Sequence, residues 1–324
     1  MGFRGSLPSV LNISRIRPKG LLSVQLIQLL VLGGLLGVGA FAGAQQPRMV
    51  EAYKKEYADK VLERSVFYGP RHGGVYRAKF EAQLRSDPNV RGVVIHQHGC
   101  GGMWGWETHV AQFYYRRGLA VITPEFVTRP GNKTGCPGTG SDDALRGGAE
   151  NFRQGVYTAL NPARIGARVD DTEYLVSYIK TLTNKPIILS GHSEGARTTY
   201  HWSREDPQIK GAVLHNQSCS PDYEHLWRLP PTIKTWQILE DSDPWAPRAH
   251  AGGCGHHFPG EYKKNITFLM QRGRNHNPLT NQEAIDSLDS WLKELIPGVG
   301  TMIETHNEHL LEQIQRSIYP AGRN

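Results

Sequence analysis

The chain has 324 residues, of which 39% are hydrophobic and 21% are charged, with a formal net charge of +7 and a pI of about 9.2. That length is enough for one large domain with a substantial hydrophobic core. No run of Lys and Arg interleaved with aromatic residues occurs. The basic balance therefore gives no support to a nucleic-acid-binding protein.

The first 44 residues have the layout of a secretory signal. An uncharged apolar run from Leu21 to Ala44 ends in the small residues Ala42-Gly43-Ala44. Four basic residues precede it: Arg4, Arg15, Arg17 and Lys19. This order of basic region, apolar region and A-x-A site is typical of a cleaved signal peptide. An uncleaved membrane anchor is the alternative, because 24 residues could span a bilayer.

Cleavage after Ala44 changes both the length and the charge. It leaves 280 residues, and because the removed segment carries four basic residues and no acidic one, the net charge falls to +3. We expect residues 1–44 to be a signal peptide, and residues 45–324 to form one exported domain, periplasmic or extracellular. No stable membrane anchoring is expected after cleavage, and we see no internal repeat.

Strands and helices alternate through the remaining chain. Residues 49–66 suggest a first helix, and near-continuous apolar runs predict strands at 90–96, 119–123, 186–190, 209–215, 233–239 and 266–270. Helical stretches lie between or after them, at 106–117, 170–182, 196–204 and 281–295. Continuous apolar runs are expected of strands covered on both faces. The pattern predicts an α/β fold with a mainly parallel central sheet flanked by helices.

Two regions depart from this alternation. Residues 127–165 begin with a stretch rich in Gly, Pro and Thr and are predicted to be a loop or insertion. Residues 300–324 contain apolar positions on one helical stripe, which predicts a C-terminal helix packed on the sheet.

Four cysteines lie after the signal: Cys100, Cys136, Cys219 and Cys254. An even number in an exported chain suggests disulfides, and four cysteines allow three pairings. Proximity in sequence favours Cys100–Cys136 and Cys219–Cys254. A structural zinc site has weak support, because neither C-x-x-C nor H-E-x-x-H occurs.

The segment LSGHSEGAR, residues 189–197, contains Gly-x-Ser-x-Gly between a predicted strand and a predicted helix. In that context the pattern predicts a nucleophile elbow, a sharp turn that exposes a reactive serine above the sheet. Side chains at Gly191 or Gly195 would collide in so tight a turn. Ser193 is therefore the predicted nucleophile, held in a strained backbone conformation.

A base and an acid follow in the order that such an elbow requires. His276 comes after the strand predicted at 266–270, and Asp243 comes after the strand predicted at 233–239. A serine hydroxyl needs a base to take its proton and an acid to orient that base. We assign these roles to His276 and Asp243, with Asp241 as the alternative acid.

The segment HQHGCGG, residues 96–102, lies where an oxyanion loop is expected. We predict that the backbone N–H groups of Cys100 and Glu194 stabilise the developing oxyanion. A phosphate-binding loop is disfavoured because no Gly-Lys-[Ser/Thr] follows. Three tryptophans near these loops are candidates for a substrate pocket, with core packing as an equal alternative: Trp104, Trp106 and Trp245.

The combined motifs resemble the dienelactone-hydrolase-like branch of the α/β-hydrolases. The resemblance rests on residues 96–102, 116–126, 191–196, 241–245 and 273–277, together with Cys136, and spans roughly residues 90–295. It implies a single α/β-hydrolase domain that uses no cofactor or metal and hydrolyses esters or lactones of small molecules. Relatives often have Cys as the nucleophile and Gly after the elbow, where this chain has Ser193 and Ala196.

The expected function is that of a secreted serine hydrolase that cleaves carboxylic esters or lactones through an acyl-enzyme. Two alternatives stay open at this point. One is a peptidase or amidase that uses the same triad, and the other is a non-catalytic binding protein on a hydrolase scaffold.

Overall fold

A computed structural model describes the fold of eight stretches of the chain: 56–70, 73–103, 105–126, 162–216, 228–243, 264–273, 276 and 279–300. Within these stretches no helix is long and apolar enough to cross a membrane.

The chain enters the sheet through short elements. Residues 56–64 are helical. Strands β1 (Val66–Gly69) and β2 (Gly73–Val75) then form an antiparallel pair. Helix α1 (Arg77–Ser86) follows and buries Phe80 and Leu84, which are one turn apart. These elements complete one edge of the sheet.

The alternating part of the fold follows. It contains β3 (Gly92–Gln97), α2 (Gly105–Tyr115), β4 (Leu119–Thr123), α3 (Pro162–Leu182), β5 (Ile187–His192), α4 (Glu194–Tyr200) and β6 (Ile209–His215). It ends with β7 (Lys234–Glu240), β8 (Ile266–Gln271) and α5 (Gln282–Leu295).

The described strands form one eight-stranded sheet with the order β2-β1-β4-β3-β5-β6-β7-β8. β1 runs antiparallel to both of its neighbours, whereas the strands from β4 to β8 pair in parallel. The carboxyl ends of β3, β5, β7 and β8 therefore lie at one edge. Ligands of open α/β sheets bind at this edge.

Successive strand residues feed two separate cores. In β5, Ile187 and Leu189 pack on the side of α1, α3 and α4, whereas Ile188 packs on the side of α2 and α5. Because both faces are covered, an apolar residue is favoured at every position rather than at alternate ones. This three-layer arrangement, with Gly-x-Ser-x-Gly between β5 and α4, is the architecture of an α/β-hydrolase.

The predicted fold class is confirmed. The six predicted strands correspond to β3–β8, with boundaries that differ by at most two residues. β1, β2 and α1 were not predicted. Strands of four and three residues carry no usable periodicity, and α1 buries only Phe80, Gln83 and Leu84 of its 10 residues, which leaves a weak apolar stripe. α3 begins at Pro162, eight residues before the predicted start of that helix. α4 ends at Tyr200, four residues before its predicted end.

Several predictions fall on residues that the structure does not describe. The signal peptide and its cleavage site, most of the 127–165 insertion and the C-terminal helix lie outside the described residues. The domain boundaries that depend on these segments stay predictions.

Candidate active site

Ser193 lies at the turn between β5 and α4, in a backbone conformation that L-residues rarely adopt. Its φ is 53° and its ψ is −114°. The turn is fixed on both sides, since Ser193 N donates to the His215 carbonyl at 2.9 Å and Arg197 N donates to the Ser193 carbonyl at 3.1 Å. From Ile187 to Tyr200, Ser193 alone is not fully buried. A strained, partly exposed serine at a strand–helix turn is the geometry of a nucleophile elbow.

The two glycines of the motif permit the close approach of α4 to the sheet. A Cβ at Gly191 would lie 2.2 Å from the Gly195 carbonyl carbon. A Cβ at Gly195 would lie 2.0 Å from the carbonyl oxygen of Gln97, at the end of β3. Both contacts involve backbone atoms, which cannot rotate away. Any side chain at these positions would therefore push the helix away from the strands that carry the site.

His276 and Asp243 meet at the same edge of the sheet. The imidazole Nδ1 of His276 donates to Oδ2 of Asp243 at 2.7 Å, and the Asp243 side chain is fully buried. This bond fixes the tautomer of His276 and leaves Nε2 to accept a proton. Burial lowers the pKa of His276 below its usual 6.5, while the Asp243 carboxylate opposes that shift.

Asp241, the alternative acid, has a different role. Its Oδ1 accepts from the backbone N–H of Gly273 at 3.1 Å and from the Ser242 hydroxyl at 3.0 Å. These bonds connect the turn after β7 to the end of β8. Asp243 is thus the acid in contact with His276, and Asp241 supports the loops from which both residues project.

His192, the residue before Ser193, connects the elbow to the His276 loop. Its Nε2 donates to the backbone carbonyl of His276 at 2.9 Å, and the two imidazole rings lie 4.8 Å apart between centroids. Its Nδ1 lies 3.3 Å from Oε1 of Glu107, a buried carboxylate at the start of α2. His192 thus contacts both the start of α2 and the residue that carries the proposed base.

Glu107 also holds the loop after β3. Its Oε1 accepts from the backbone N–H of Gly99 at 3.3 Å. One carboxylate therefore contacts both the oxyanion loop and the elbow. Sequence reasoning missed Glu107, although a signal was present. Glu107 lies on the helical stripe that also holds Val110, Ala111 and Tyr114, where a charged side chain is unexpected.

The predicted oxyanion donors lie on the two loops that meet at Ser193. The Gly99 carbonyl accepts from His98 Nδ1 at 2.7 Å, on the buried side of the loop. The described peptide bonds are all trans, so the Cys100 N–H points away from that buried side. Glu194 is the first residue of α4. The N–H groups of a helix's first turn point beyond its N-terminal end rather than toward a carbonyl of the same helix.

The other predicted residues are only partly described. Trp106 is 6% exposed, and its ring lies 4.2 Å from the His192 ring between centroids, so it packs in the core beneath the elbow. Trp104 and Trp245 lie outside the described residues, as do three of the four cysteines: Cys136, Cys219 and Cys254. The pocket role of the first two and the disulfide pairing stay predictions. Among the described residues, no group of three or more His, Cys, Asp or Glu could hold a metal ion.

Solved structures of esterases and related hydrolases are similar to this chain. A cold-adapted esterase from an Arctic intertidal metagenomic library is 18% identical, with a TM-score of 0.44, and the match covers 64% of this chain and 82% of that one. A putative dienelactone hydrolase from Klebsiella pneumoniae is 12% identical, with a TM-score of 0.44 and coverages of 65% and 88%. A thermostable carboxyl esterase from Bacillus coagulans is 10% identical, with a TM-score of 0.43 and coverages of 63% and 90%.

No family model matches the chain, and no curated protein matches it.

Proposed function

We propose that the protein is an exported serine hydrolase that cleaves carboxylic esters or lactones of small molecules. The observation that carries the proposal is the 2.7 Å hydrogen bond between His276 and a buried Asp243, at the sheet edge where Ser193 lies strained and partly exposed. A nucleophile, a base and an orienting acid are the parts that acyl transfer by a serine hydroxyl requires.

In the acylation step, the Ser193 Oγ attacks the substrate carbonyl carbon while its proton passes to Nε2 of His276. Asp243 stabilises the resulting imidazolium through the Nδ1–H bond. The carbonyl oxygen becomes an oxyanion and accepts hydrogen bonds from the N–H groups of Cys100 and Glu194. Collapse of this intermediate expels the alcohol, which takes the proton from His276, and leaves an acyl-serine ester.

Deacylation repeats the sequence with water. His276 takes a proton from the water molecule, whose oxygen attacks the acyl-serine carbonyl. The second tetrahedral intermediate collapses and releases the acid, and the proton returns to the Ser193 oxygen. The lowered pKa of His276 suits this role, because it keeps the imidazole neutral and able to accept a proton at neutral pH.

A substrate panel tests the proposed class. We expect turnover of p-nitrophenyl esters of varied acyl length, or of lactones, at rates well above those of peptide anilides. Turnover of anilides with no ester or lactone hydrolysis would instead support a peptidase or amidase with the same triad. Absence of any Ser193-dependent turnover would support a binding protein on a hydrolase scaffold.

Export and disulfide formation are separate parts of the proposal. The basic and apolar pattern of residues 1–44 supports cleavage after Ala44, which N-terminal sequencing of the mature protein would detect. Mass spectrometry of unreduced peptides would test the pairs Cys100–Cys136 and Cys219–Cys254. Membrane-bound protein whose N-terminal sequence still begins at Met1 would instead support the uncleaved membrane anchor.

A further inference from the structure

A buried ion pair joins α3 to Glu194, the first residue of α4, whose N–H is a proposed oxyanion donor. Nη2 of Arg168, in α3, lies 3.1 Å from Oε1 of Glu194, and the two side chains are 0% and 2% exposed. Desolvating both charges offsets most of their attraction, so a pair of this kind is weak evidence of a contribution to stability. Its contacts with the loop after β3 suggest a different role.

Arg168 holds two consecutive carbonyl groups of that loop. Its Nη1 donates to the His98 carbonyl at 2.9 Å, and its Nη2 donates to the Gly99 carbonyl at 3.4 Å. A guanidinium is a rigid planar fork, so donors on both terminal nitrogens fix the direction of both carbonyls. The carbonyl of Gly99 also accepts from His98 Nδ1 at 2.7 Å and from the backbone N–H of Gly102 at 3.3 Å, so Arg168 adds a donor from α3 to a carbonyl that the loop itself already orients.

The direction of the Gly99 carbonyl sets the direction of the Cys100 N–H. The two groups belong to one trans peptide unit, in which C=O and N–H point in opposite directions. A carbonyl held toward Arg168 thus aims the Cys100 N–H toward the substrate side. Without the guanidinium, the His98 carbonyl loses the donor from Arg168, and the Gly99 carbonyl keeps its bonds to His98 Nδ1 and the Gly102 N–H. The peptide unit is then held less firmly, and the proposed donor loses part of its aim.

Glu194 connects the same guanidinium to the other half of the site. Its carboxylate pairs with Arg168, while its backbone N–H is the second proposed oxyanion donor. One buried pair therefore joins the loop after β3 to the first residue of α4. The sequence carries a signal for it, since Arg168 shares a helical stripe with three buried residues: Thr172, Leu175 and Ile179.

We infer that Arg168 is a positioning residue for the oxyanion hole, and that the Glu194 carboxylate is the counter-charge that orients it. This inference rests on the proposed function, because it assigns the oxyanion donors of that same site. Arg168 does not touch the substrate. It acts through the Gly99–Cys100 peptide unit.

Three variants test the inference: Arg168→Met, Arg168→Lys and Glu194→Gln. A loop displaced by about 1 Å can cost about 100-fold in rate, so we expect kcat per active site to fall by about 10- to 100-fold in Arg168→Met. KM should change by less than about threefold, because the oxyanion forms only in the transition state. Arg168→Lys should recover part of the loss, since it keeps the charge but not the fork.

The decisive readout is the affinity for a trifluoromethyl ketone, which binds Ser193 as an oxyanion. Its Ki should rise in proportion to the loss of kcat/KM across the three variants. Active-site titration with a fluorophosphonate corrects for misfolded protein. Arg85→Met is the matched control, because it removes an exposed arginine from α1 and should change neither kcat nor Ki. If Arg168→Met fails to fold, the Lys and Gln variants keep the side-chain size and carry the test.

The outcomes separate the inference from the proposed function. An active wild-type enzyme whose variants keep the wild-type kcat per titrated site and the wild-type Ki would overturn the role of Arg168 and leave the proposed function intact. A wild-type protein with no ester turnover and no label on Ser193 would overturn both.

Discussion

Adding one methyl group at Gly195 would force apart the two loops that form the site. A Cβ at this position would lie 2.0 Å from the Gln97 carbonyl oxygen, whereas ordinary contact begins at 3.4 Å. The elbow and β3 would have to separate by about 1.4 Å, and a displacement of about 1 Å can reduce the rate about 100-fold. Overpacking of this kind typically costs about 1–3 kcal/mol of stability.

We therefore expect Gly195→Ala to lower kcat/KM for a p-nitrophenyl ester at least 100-fold and to lower the free energy of unfolding measured in urea. Gly166→Ala is the matched control. Gly166 lies inside α3. Apart from the helix's own backbone, no described atom lies within 4 Å of the position that its Cβ would take. This variant should therefore keep full activity. It should also gain about 0.5–1 kcal/mol of stability, because alanine favours a helix. Wild-type activity and stability in Gly195→Ala would refute the steric account of the elbow.

Three further predictions concern acid–base groups. Asp243→Asn should lower kcat by about 10³- to 10⁴-fold in steady-state assays with little effect on folding, and a loss below tenfold would contradict its role. Burial lowers the pKa of His276, so the imidazole stays neutral, and able to act as the base, to lower pH. The acid limb of the kcat/KM profile should therefore lie below pH 6.5, and a limb above pH 6.5 would contradict this. Burial lowers the pKa of His96 to about 3, so only the unfolded chain takes up its proton near pH 6.5, and stability falls as the pH drops. By pH 5 this lowers the free energy of unfolding by about 2 kcal/mol. Between pH 7.5 and 5, the free energy of unfolding measured in urea should therefore fall by about 2 kcal/mol less in His96→Gln than in wild type. An equal fall in the two proteins would contradict this.

The part of the fold that could be predicted is the part where burial acts on whole strands. β3 to β7 are near-continuous apolar runs because helices cover both faces of the sheet, and this pattern is visible in one sequence. β8, at the sheet edge, is apolar in sequence but only partly buried. β1 and β2 are different. They are held at the sheet edge by pairing with β4 and with each other, and such pairing leaves little trace in segments of four and three residues.

The candidate site divides in a similar way. Ser193 and His276 could be assigned because local motifs and chain order constrain them. The choice between Asp243 and Asp241 could not be made from spacing alone, since both follow β7 within three residues, and it depends on how the turn aims each side chain.

Glu107 and Arg168 were missed because their partners are distant in sequence. Glu107 contacts His192, 85 residues away, and Arg168 contacts the carbonyl of His98, 70 residues away. A charged residue on an apolar helical stripe suggests a buried partner but does not identify it. Only the packing of α2 and α3 on opposite faces of the sheet brings these residues to the site.

The most direct test of the central claim is covalent labelling of Ser193. A fluorophosphonate reacts with a serine whose hydroxyl is activated by a base, so the folded protein should take up one label, located on Ser193 by peptide mass spectrometry. Ser193→Ala and denatured protein should remain unlabelled, and ester hydrolysis should disappear in step with labelling. A label on another residue, or ester turnover that survives in Ser193→Ala, would contradict the account.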